Sequence, residues 1–304
     1  MTYSNTLRGS CIGIAGGIFL SIDPLLIRLM QINDPWAIVL LRGLLMWTIF
    51  SAIYALAPSL RAVLGKPWPT RQNLLATVFF ASASITFINA LAHGAVATVL
   101  VIISSTPFIA AILARLLFSE NIDRTMLTTA AIGLCGVAVA MVDAPYGDSM
   151  EASYFAIATA FSMALAFLSS SRVQGGAVGL PSLGAVFASL VVICFDLTPL
   201  KNIPDLLAPT GGLWTFIEGA LIMPMSLGLI AVSTRYVAAS HAGIFLLLET
   251  ALAPVWIWIV FDERPSLKVI LGGGIIIGAI LFKFAYSMRR PLEVTPPNLT
   301  STNG

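Results

Sequence analysis

The sequence has 304 residues, of which 58% are hydrophobic and 10% charged, with a formal net charge of +2 and a mean hydropathy of +0.94. Soluble domains carry about 25% charged residues, so the composition excludes a soluble globular protein. No basic run is present, which argues against a nucleic-acid partner. The apolar residues stand in long uninterrupted runs. They predict an all-α polytopic membrane protein, because the strands of a membrane barrel would alternate in polarity.

The apolar runs predict ten transmembrane helices, since about 18 or more apolar residues are needed to span a bilayer. Most connections are short and rich in turn formers, such as Asn33-Asp34-Pro35. The predicted helices cover residues 10–30, 35–56, 73–92, 95–118, 125–143, 153–172, 182–199, 212–236, 240–261 and 266–287. Residues 291–304 are rich in Pro, Thr and Asn and are predicted to form a disordered cytoplasmic tail.

Basic residues concentrate on one side of this predicted topology, which fixes the orientation by the positive-inside rule. With the N-terminus inside, the opposite side carries Arg28, Lys201, Arg264 and Lys268. Both termini are therefore expected in the cytoplasm, in a multi-pass protein of the cytoplasmic (inner) membrane. The residues on the inner side are Arg8, Arg61, Lys66, Arg71, Arg115, Arg124, Arg172, Arg235, Lys283, Arg289 and Arg290.

The two halves of the chain form an internal repeat at an offset of 143–144 residues. At this offset residues 116–120 (LLFSE) lie over residues 259–263 (IVFDE), and Arg28 lies over Arg172. Five helices per half is an odd number, so the second repeat must be inverted relative to the first. Inverted repeats recur in secondary transporters, whose sites lie between the repeats near the midplane. We assign residues 1–146 and 147–290 to the two repeats.

The segment 246–265, LLLETALAPVWIWIVFDERP, resembles the ninth-helix signature of EamA-type carriers in the drug/metabolite transporter superfamily. Pro107 followed by Glu120 is similar to the corresponding pattern of the first repeat, and Leu41-Arg42-Gly43 resembles the second-helix arginine. The resemblance covers residues 8–287. It implies ten helices in two inverted repeats, cytoplasmic termini, and export or exchange of small metabolites such as amino acids. One departure is that Ser240-His241-Ala242 stands where an acidic residue is expected.

Three charged residues of the predicted helices lie at a similar depth: Asp23, Arg42 and Glu218. A charge inside the bilayer costs about 2.5–3.5 kcal/mol on insertion scales, so each is a candidate functional residue. A buried Arg42 requires a carboxylate partner. Two interpretations stay open, namely a substrate or proton-coupling site around Arg42 and a structural ion pair that joins helices. Asp23-Pro24 also predicts a break in the first helix.

Glu249, in the middle of the ninth helix, is a candidate for proton coupling or for binding a substrate amine. The alternative is a carboxyl that hydrogen-bonds between packed helices. His241, Phe245, Glu249 and Trp256 follow helical spacing and share one face. That face is expected either to line a cavity or to contact another helix.

The third helix carries a polar stripe with helical spacing, formed by Ser82, Thr86, Asn89 and His93. The stripe either lines a hydrated pathway, with Asn89 as the main candidate, or packs through interhelical hydrogen bonds. His93, near the helix end, is expected at the interface. Pro107, Pro224 and Pro254 fall inside predicted helices and are expected to act as hinges or fixed kinks.

No cofactor or metal is expected. The three cysteines stand in apolar runs, with no metal-ligand or disulfide spacing. The expected partners are the lipid bilayer and a small-molecule substrate, with protons as a further candidate, and the expected state is a monomer or weak dimer.

The expected function is a secondary transporter that works by alternating access as an exporter or exchanger. An amino acid or similar amphiphile is the expected cargo, with its carboxylate on Arg42 and its amine on Glu249. A membrane-embedded enzyme and a passive channel are the alternatives. We expect no enzyme, because the predicted topology places His93 and His241 at opposite ends of the membrane. The two histidines therefore cannot meet in one catalytic cluster.

Overall fold

The computed structural model describes residues 3–32, 34–94, 96–119, 124–142, 150–173, 177–198, 209–237, 242–262 and 267–289. Every regular element in these ranges is a helix, and no strand occurs within them. Helices satisfy their own backbone hydrogen bonds, which lipid demands of a membrane-spanning segment. The expected all-helical class is confirmed for the described residues, and the apolar helices are compatible with a membrane-embedded protein. Six described spans are long and apolar enough to cross a membrane: Leu7–Met30, Pro35–Leu56, Leu74–His93, Met150–Ser170, Gly211–Ser233 and Ile244–Phe261.

The first half of the chain contains helices α1 to α8 and one 3₁₀ turn. The helices are α1 (Tyr3–Leu20), α2 (Asp23–Met30), α3 (Pro35–Leu56), α4 (Arg61–Leu64), α5 (Leu74–His93), α6 (Val96–Ile103), α7 (Thr106–Phe118) and α8 (Arg124–Met141), and the 3₁₀ turn is Pro58–Leu60.

The described residues of the second half contain helices α9 to α14 and one π-helical segment. These are α9 (Met150–Ser170), α10 (Leu180–Cys194), α11 (Pro209–Phe216), the π-helical segment Ile217–Ile222, α12 (Met223–Ser233), α13 (Ala242–Phe261) and α14 (Leu267–Arg289). The predicted tail, residues 291–304, lies outside the described residues.

Two of the predicted continuous helices are interrupted. The first breaks at Ser21 and Ile22, and Pro24 lies in the first turn of α2, where its missing N–H costs nothing. The break expected at Asp23-Pro24 is therefore present. The predicted helix 95–118 also divides, because Ser104 and Ser105 separate α6 from α7. Pro107 then begins a helix, so its placement inside a continuous helix was wrong.

Other boundaries differ from the prediction at particular residues. The predicted helix 182–199 ends at Cys194, and Asp196 adopts a left-handed conformation with φ of 48°. Pro224 follows the π-helical segment in the first turn of α12, whereas Pro254 lies inside an unbroken α13. The three cysteines are exposed, so they face outward from the bundle.

The helices pack in pairs that cross between the two halves of the chain. Helix α5 of the first half packs against α9 of the second, and α9 also contacts α6 and α7. Helix α1 packs against α12 and α13, and α2 contacts α11. Two further pairs, α3 with α10 and α8 with α14, complete the described bundle.

Large apolar side chains cover the outside of the bundle as well as its core. Leu56 is 84% exposed, Phe195 73% and Leu116 72%. A soluble monomer rarely exposes such extended apolar surface, whereas lipid tails accept it without cost. The outer surface is therefore compatible with a bilayer, and polar residues are also buried within the bundle.

Candidate functional site

Arg42 of α3 forms two ion pairs in the interior of the bundle. Its Nε lies 3.1 Å from Glu218 Oε1, and its Nη2 lies 3.5 Å from Asp23 Oδ2. Arg42 is 3% exposed, and both carboxylates are fully buried. The contact predicted from the common depth of the three residues is present.

The backbone irregularities of the fold position both carboxylates. Asp23 is the first residue of α2, directly after the break at Ser21 and Ile22. Glu218 lies in the π-helical segment that separates α11 from α12. Such π-helical turns are rare in proteins, and those that occur are often found at functional sites. The charged cluster therefore lies where two helices depart from regular geometry.

A cavity adjoins this cluster and has a volume of about 30 Å³. That volume holds about two water molecules. The cavity is mostly apolar, with a small number of polar and charged side chains. Its walls are formed by Leu20, Asp23, Arg42, Met46, Phe80, Ala83, Ser84, Phe87, Ile103, Thr159, Met163, Ala185, Met223, Leu227, Leu246 and Glu249.

Glu249 of α13 lines this cavity together with Asp23 and Arg42. Its side chain is 4% exposed, and its Oε1 has no hydrogen-bond partner. Among the described residues no salt bridge within 4.0 Å joins Glu249 to a cation. The expectation that Glu249 faces a cavity agrees with this position, while its role stays a prediction.

Carboxyl groups outnumber cations in this region. Among the described residues of this region, Asp23, Glu218 and Glu249 supply three, against one guanidinium from Arg42, which leaves an excess of two. Uncompensated charge in a low-dielectric interior costs several kcal/mol per ion. The excess must therefore be neutralised by protons or by a bound cation.

Several polar atoms of this region have no hydrogen-bond partner. They are Asp23 Oδ1, Arg42 Nη1, Ser84 Oγ, both Glu218 carboxyl oxygens and Glu249 Oε1. Buried polar atoms are nearly always paired in native proteins, and exceptions concentrate at sites of function. Apart from Glu218, the residues that own these atoms all line the cavity.

A hydrogen bond ties the break in the first helix to α13. Trp256 Nε1 donates to Ser21 Oγ at 2.8 Å, while Ser21 Oγ donates to the Ile18 carbonyl oxygen at 2.6 Å. Near the end of α2, the Arg28 guanidinium lies 4.3 Å from the centre of the Phe261 ring. One contact lies just before the start of α2 and the other lies near its end, so α2 is attached to α13 at both ends.

The polar stripe of α5 makes hydrogen bonds to α9. Ser82 Oγ and Ser162 Oγ are 2.9 Å apart, and Thr159 Oγ1 donates to Thr86 Oγ1 at 2.8 Å. These contacts match the helix-packing alternative for Ser82 and Thr86. Asn89 is buried but donates its Nδ2 to the Ile85 carbonyl oxygen of its own helix.

The remaining sequence candidates lie away from the cavity walls. Phe245 packs in the apolar core, where its ring contacts Gly13 of α1. Trp256 contacts Ser21 as described, and Asn89 and His93 are likewise not part of the cavity lining. His241 lies outside the described residues.

Sequence reasoning missed Ser84, Thr159 and the methionines of the cavity wall. Ser84 is two residues from both Ser82 and Thr86 of the polar stripe of α5, and Thr159 stands in an apolar run. The sequence could have indicated Ser84, because it places a polar residue on the face of α5 opposite to Ser82. No comparable signal marks Met46, Met163 or Met223, since lipid-facing positions carry the same residue types.

Comparisons with known proteins define the fold class. Neither a family model nor a curated protein matches the sequence. Among solved structures, one described as the crystal structure of a protein matches with a TM-score of 0.70. The alignment covers 93% of this chain and 99% of that chain at 16% identity. At this identity the likeness establishes a shared helical fold and no more.

Proposed function

We propose that the protein is a secondary transporter that moves a small metabolite across the cytoplasmic membrane by alternating access. The observation that carries this proposal is a small cavity beside a buried charged cluster, inside a helical bundle whose outer surface is apolar. Ionisable residues within a membrane bundle commonly mark substrate and proton pathways. Export or exchange, both termini in the cytoplasm and membership of the EamA-type carriers belong to the same proposal.

The pairing of the helices supports ten membrane-spanning segments arranged as two inverted repeats. In this arrangement α1 and α2 together form the first segment, α6 and α7 the fourth, and residues 209–233 the eighth. The pairing of α5 with α9 then corresponds to that of the first segment with the eighth. Helix α3 packs against α10, and α8 packs against α14. Each of these pairs joins equivalent segments of the two repeats, so exchanging the repeats gives the same pair.

The local backbone supports the same offset between the repeats. Ser119 follows α7 in a left-handed conformation with φ of 53°, and Asp262 follows α13 with φ of 54°. The two positions are 143 residues apart, which is the offset found in the sequence. Residues other than glycine seldom adopt positive φ, so its recurrence at equivalent positions favours a structural repeat.

The size of the cavity favours a carrier over an open pore. At about 30 Å³ it admits about two waters, so a metabolite can enter only after the surrounding helices move. The breaks at Ser21 and Ile22, and at Ser104 and Ser105, offer places for such movement, because hinges are commonly at the ends of elements. A channel would need a continuous path instead.

The excess of carboxyl groups supports coupling to protons or cations. Glu249 is our candidate for the coupling residue, because it lines the cavity without a cationic partner. Asp23 and Glu218 are instead tied to Arg42. Either a proton or a substrate cation would neutralise the excess negative charge. Proton binding and substrate binding would therefore be coupled at one site.

Counterflow in proteoliposomes tests the proposal. Vesicles loaded with an unlabelled metabolite are diluted into a trace of the labelled compound, over a panel of amino acids and amines. A carrier gives a transient accumulation of label above equilibrium, and Glu249→Gln should abolish it while Glu151→Gln, an exposed control on α9, should not. Equilibration without accumulation would indicate a channel and contradict the proposal.

A further inference from the structure

We propose that the cavity, once the surrounding helices have moved apart, binds the primary ammonium group of a small cationic amphiphile that lacks a carboxylate. This inference rests on the proposed transport function and names its substrate class. Glu249, Asp23 and Ser84 would accept the hydrogen bonds of the ammonium group. It differs from the amino acid expected from the sequence, because the structure commits Arg42 to other partners.

The number and type of unpartnered atoms match an ammonium group. A primary ammonium has three N–H donors and no acceptor. Three acceptor oxygens without a hydrogen-bond partner belong to residues of one cavity, namely Glu249 Oε1, Asp23 Oδ1 and Ser84 Oγ. Two of the three belong to carboxyl groups, and charge-assisted hydrogen bonds are about twice as strong as neutral ones.

The balance of carboxyl groups and cations disfavours a substrate carboxylate. Arg42 already faces Glu218 and Asp23 at 3.1 and 3.5 Å. The excess of two carboxyl groups falls to one when a monocation binds and rises to three when a carboxylate binds. A zwitterionic amino acid leaves the excess unchanged and adds a fourth carboxyl group to a region with one guanidinium.

The unpartnered donor of the cluster favours a neutral acceptor on the ligand. Arg42 Nη1 is buried without a hydrogen-bond partner. A hydroxyl or carbonyl oxygen can accept from it without adding negative charge. An amine that also carries an amide or hydroxyl group should therefore bind more tightly than the bare amine.

The walls of the cavity suit an apolar body on the ligand. Phe80, Phe87, Met46, Met163 and Leu246 supply aromatic rings, thioethers and an aliphatic chain. Thioether side chains adapt their shape easily, and aromatic faces attract cations. Both properties favour a cation with a compact hydrocarbon body.

Four compounds with the same branched hydrocarbon body separate the possibilities. They are isopentylamine, L-leucinamide, L-leucine and 4-methylpentanoate, each titrated against the purified full-length protein at one pH and ionic strength. The readout is the midpoint of thermal unfolding, which rises with a ligand that binds the folded state. We expect saturable increases with isopentylamine and larger ones with leucinamide, and none with leucine or 4-methylpentanoate.

Two variants localise the binding. Glu249→Gln should weaken isopentylamine binding about 10-fold or more, because one charge-assisted hydrogen bond contributes about 1.5–3 kcal/mol. Ser84→Ala should weaken it less, and Glu151→Gln should leave it unchanged. Equal binding to the protein and to Glu249→Gln would overturn the assignment.

The remaining outcomes separate this inference from the transport proposal. Stabilisation by leucine or 4-methylpentanoate equal to that by the amines would overturn the ammonium site while leaving a carrier intact. No stabilisation by either amine would also overturn it, and counterflow with the other metabolites would still decide whether the protein is a carrier. Loss of counterflow for every compound despite amine binding would overturn only transport.

Discussion

Arg42 is held by two carboxylates through different nitrogen atoms, Nε toward Glu218 and Nη2 toward Asp23. This geometry needs the fork of a guanidinium, because a single ammonium has no second nitrogen with which to reach the other carboxylate. Arg42 therefore links α2, α3 and the π-helical segment at one point. Removal of this side chain should therefore weaken the contacts among these three segments.

Substitution of Arg42 should destabilise the folded protein strongly. Arg42→Gln leaves two buried carboxyl groups without their cation, and loss of one partner of a buried pair costs about 3–5 kcal/mol. Combination with Glu218→Gln should recover part of this loss, because it removes one of the unpaired carboxyls. Thermal unfolding of the purified variants measures both effects.

An exposed arginine provides the control for this experiment. Arg71→Gln, in the segment between α4 and α5, should change stability within about 0.5 kcal/mol. If the double variant of Arg42 and Glu218 were no more stable than Arg42→Gln alone, the ion pair would not be the source of the effect.

Residue-level prediction from the sequence succeeded where charge was involved and failed where it was not. Asp23, Arg42 and Glu218 were expected together, because charges in lipid are costly and need partners. Ser84 and Thr159 were missed, since hydropathy cannot distinguish a cavity wall from a lipid-facing surface when both are mostly apolar. Their position depends on helix rotation, which is fixed by packing.

At the scale of elements, close contact between α3 and α10 depends on Gly43. A Cβ on Gly43 would overlap the Ala185 carbonyl oxygen and Ser189 Oγ. Backbone atoms cannot move aside without shifting a helix, so the two helices must have glycine at this point. The side chain of Ser189 also donates to the Leu40 carbonyl oxygen at 2.9 Å.

Gly43→Ala should therefore lower the free energy of unfolding by about 1–3 kcal/mol, the usual cost of overpacking. Gly278→Ala on α14 is the matched control, because nothing lies within 4 Å of its added Cβ. Alanine there should be neutral or stabilising by up to about 1 kcal/mol. Equal thermal shifts for the two variants would contradict the close contact.

The bond between Trp256 and Ser21 should make a measurable contribution to the attachment of α2 to α13. Trp256→Phe removes one hydrogen bond with little change in packing, for an expected loss of about 0.5–1.5 kcal/mol. Trp258→Phe is the control, since Trp258 is 40% exposed on the same helix. A double-mutant cycle with Ser21→Ala isolates the coupling, and additive effects would show that the bond contributes nothing.

Proline chemistry explains why one helix break was predictable and another was not. Pro24 indicated the break in the first helix, because its ring clashes with a preceding helical turn. Pro107 gave a similar signal for the fourth predicted helix, but the break falls earlier, at Ser104 and Ser105. The π-helical segment at residues 217–222 has no sequence signature apart from the nearby Pro224.

At the scale of the whole molecule, the two halves of the chain are proposed to cross the membrane in opposite directions. The long apolar runs predicted the helical class directly, since their length matches the bilayer. The arrangement of the helices could be anticipated only through the repeat offset. Pairing across the halves, as between α5 and α9, depends on side-chain complementarity that the sequence does not display.

The orientation can be tested with single cysteines in a background where Cys11, Cys135 and Cys194 are replaced by serine. Arg71→Cys should react with a membrane-impermeant maleimide only after the cells are broken, because the positive-inside rule places it in the cytoplasm. Glu151→Cys should react in intact cells. The reverse pattern would invert the topology and the direction assigned to transport.

The most direct test of the central claim is the accessibility of the cavity from the two sides of the membrane. Ala83→Cys on the cavity wall is probed in the same background with an impermeant thiol reagent from either side, with lipid-facing Val78→Cys as the control. Alternating access predicts that labelling from one side falls as labelling from the other rises when the substrate gradient is reversed. Labelling from neither side, or equal changes on both sides, would contradict a carrier.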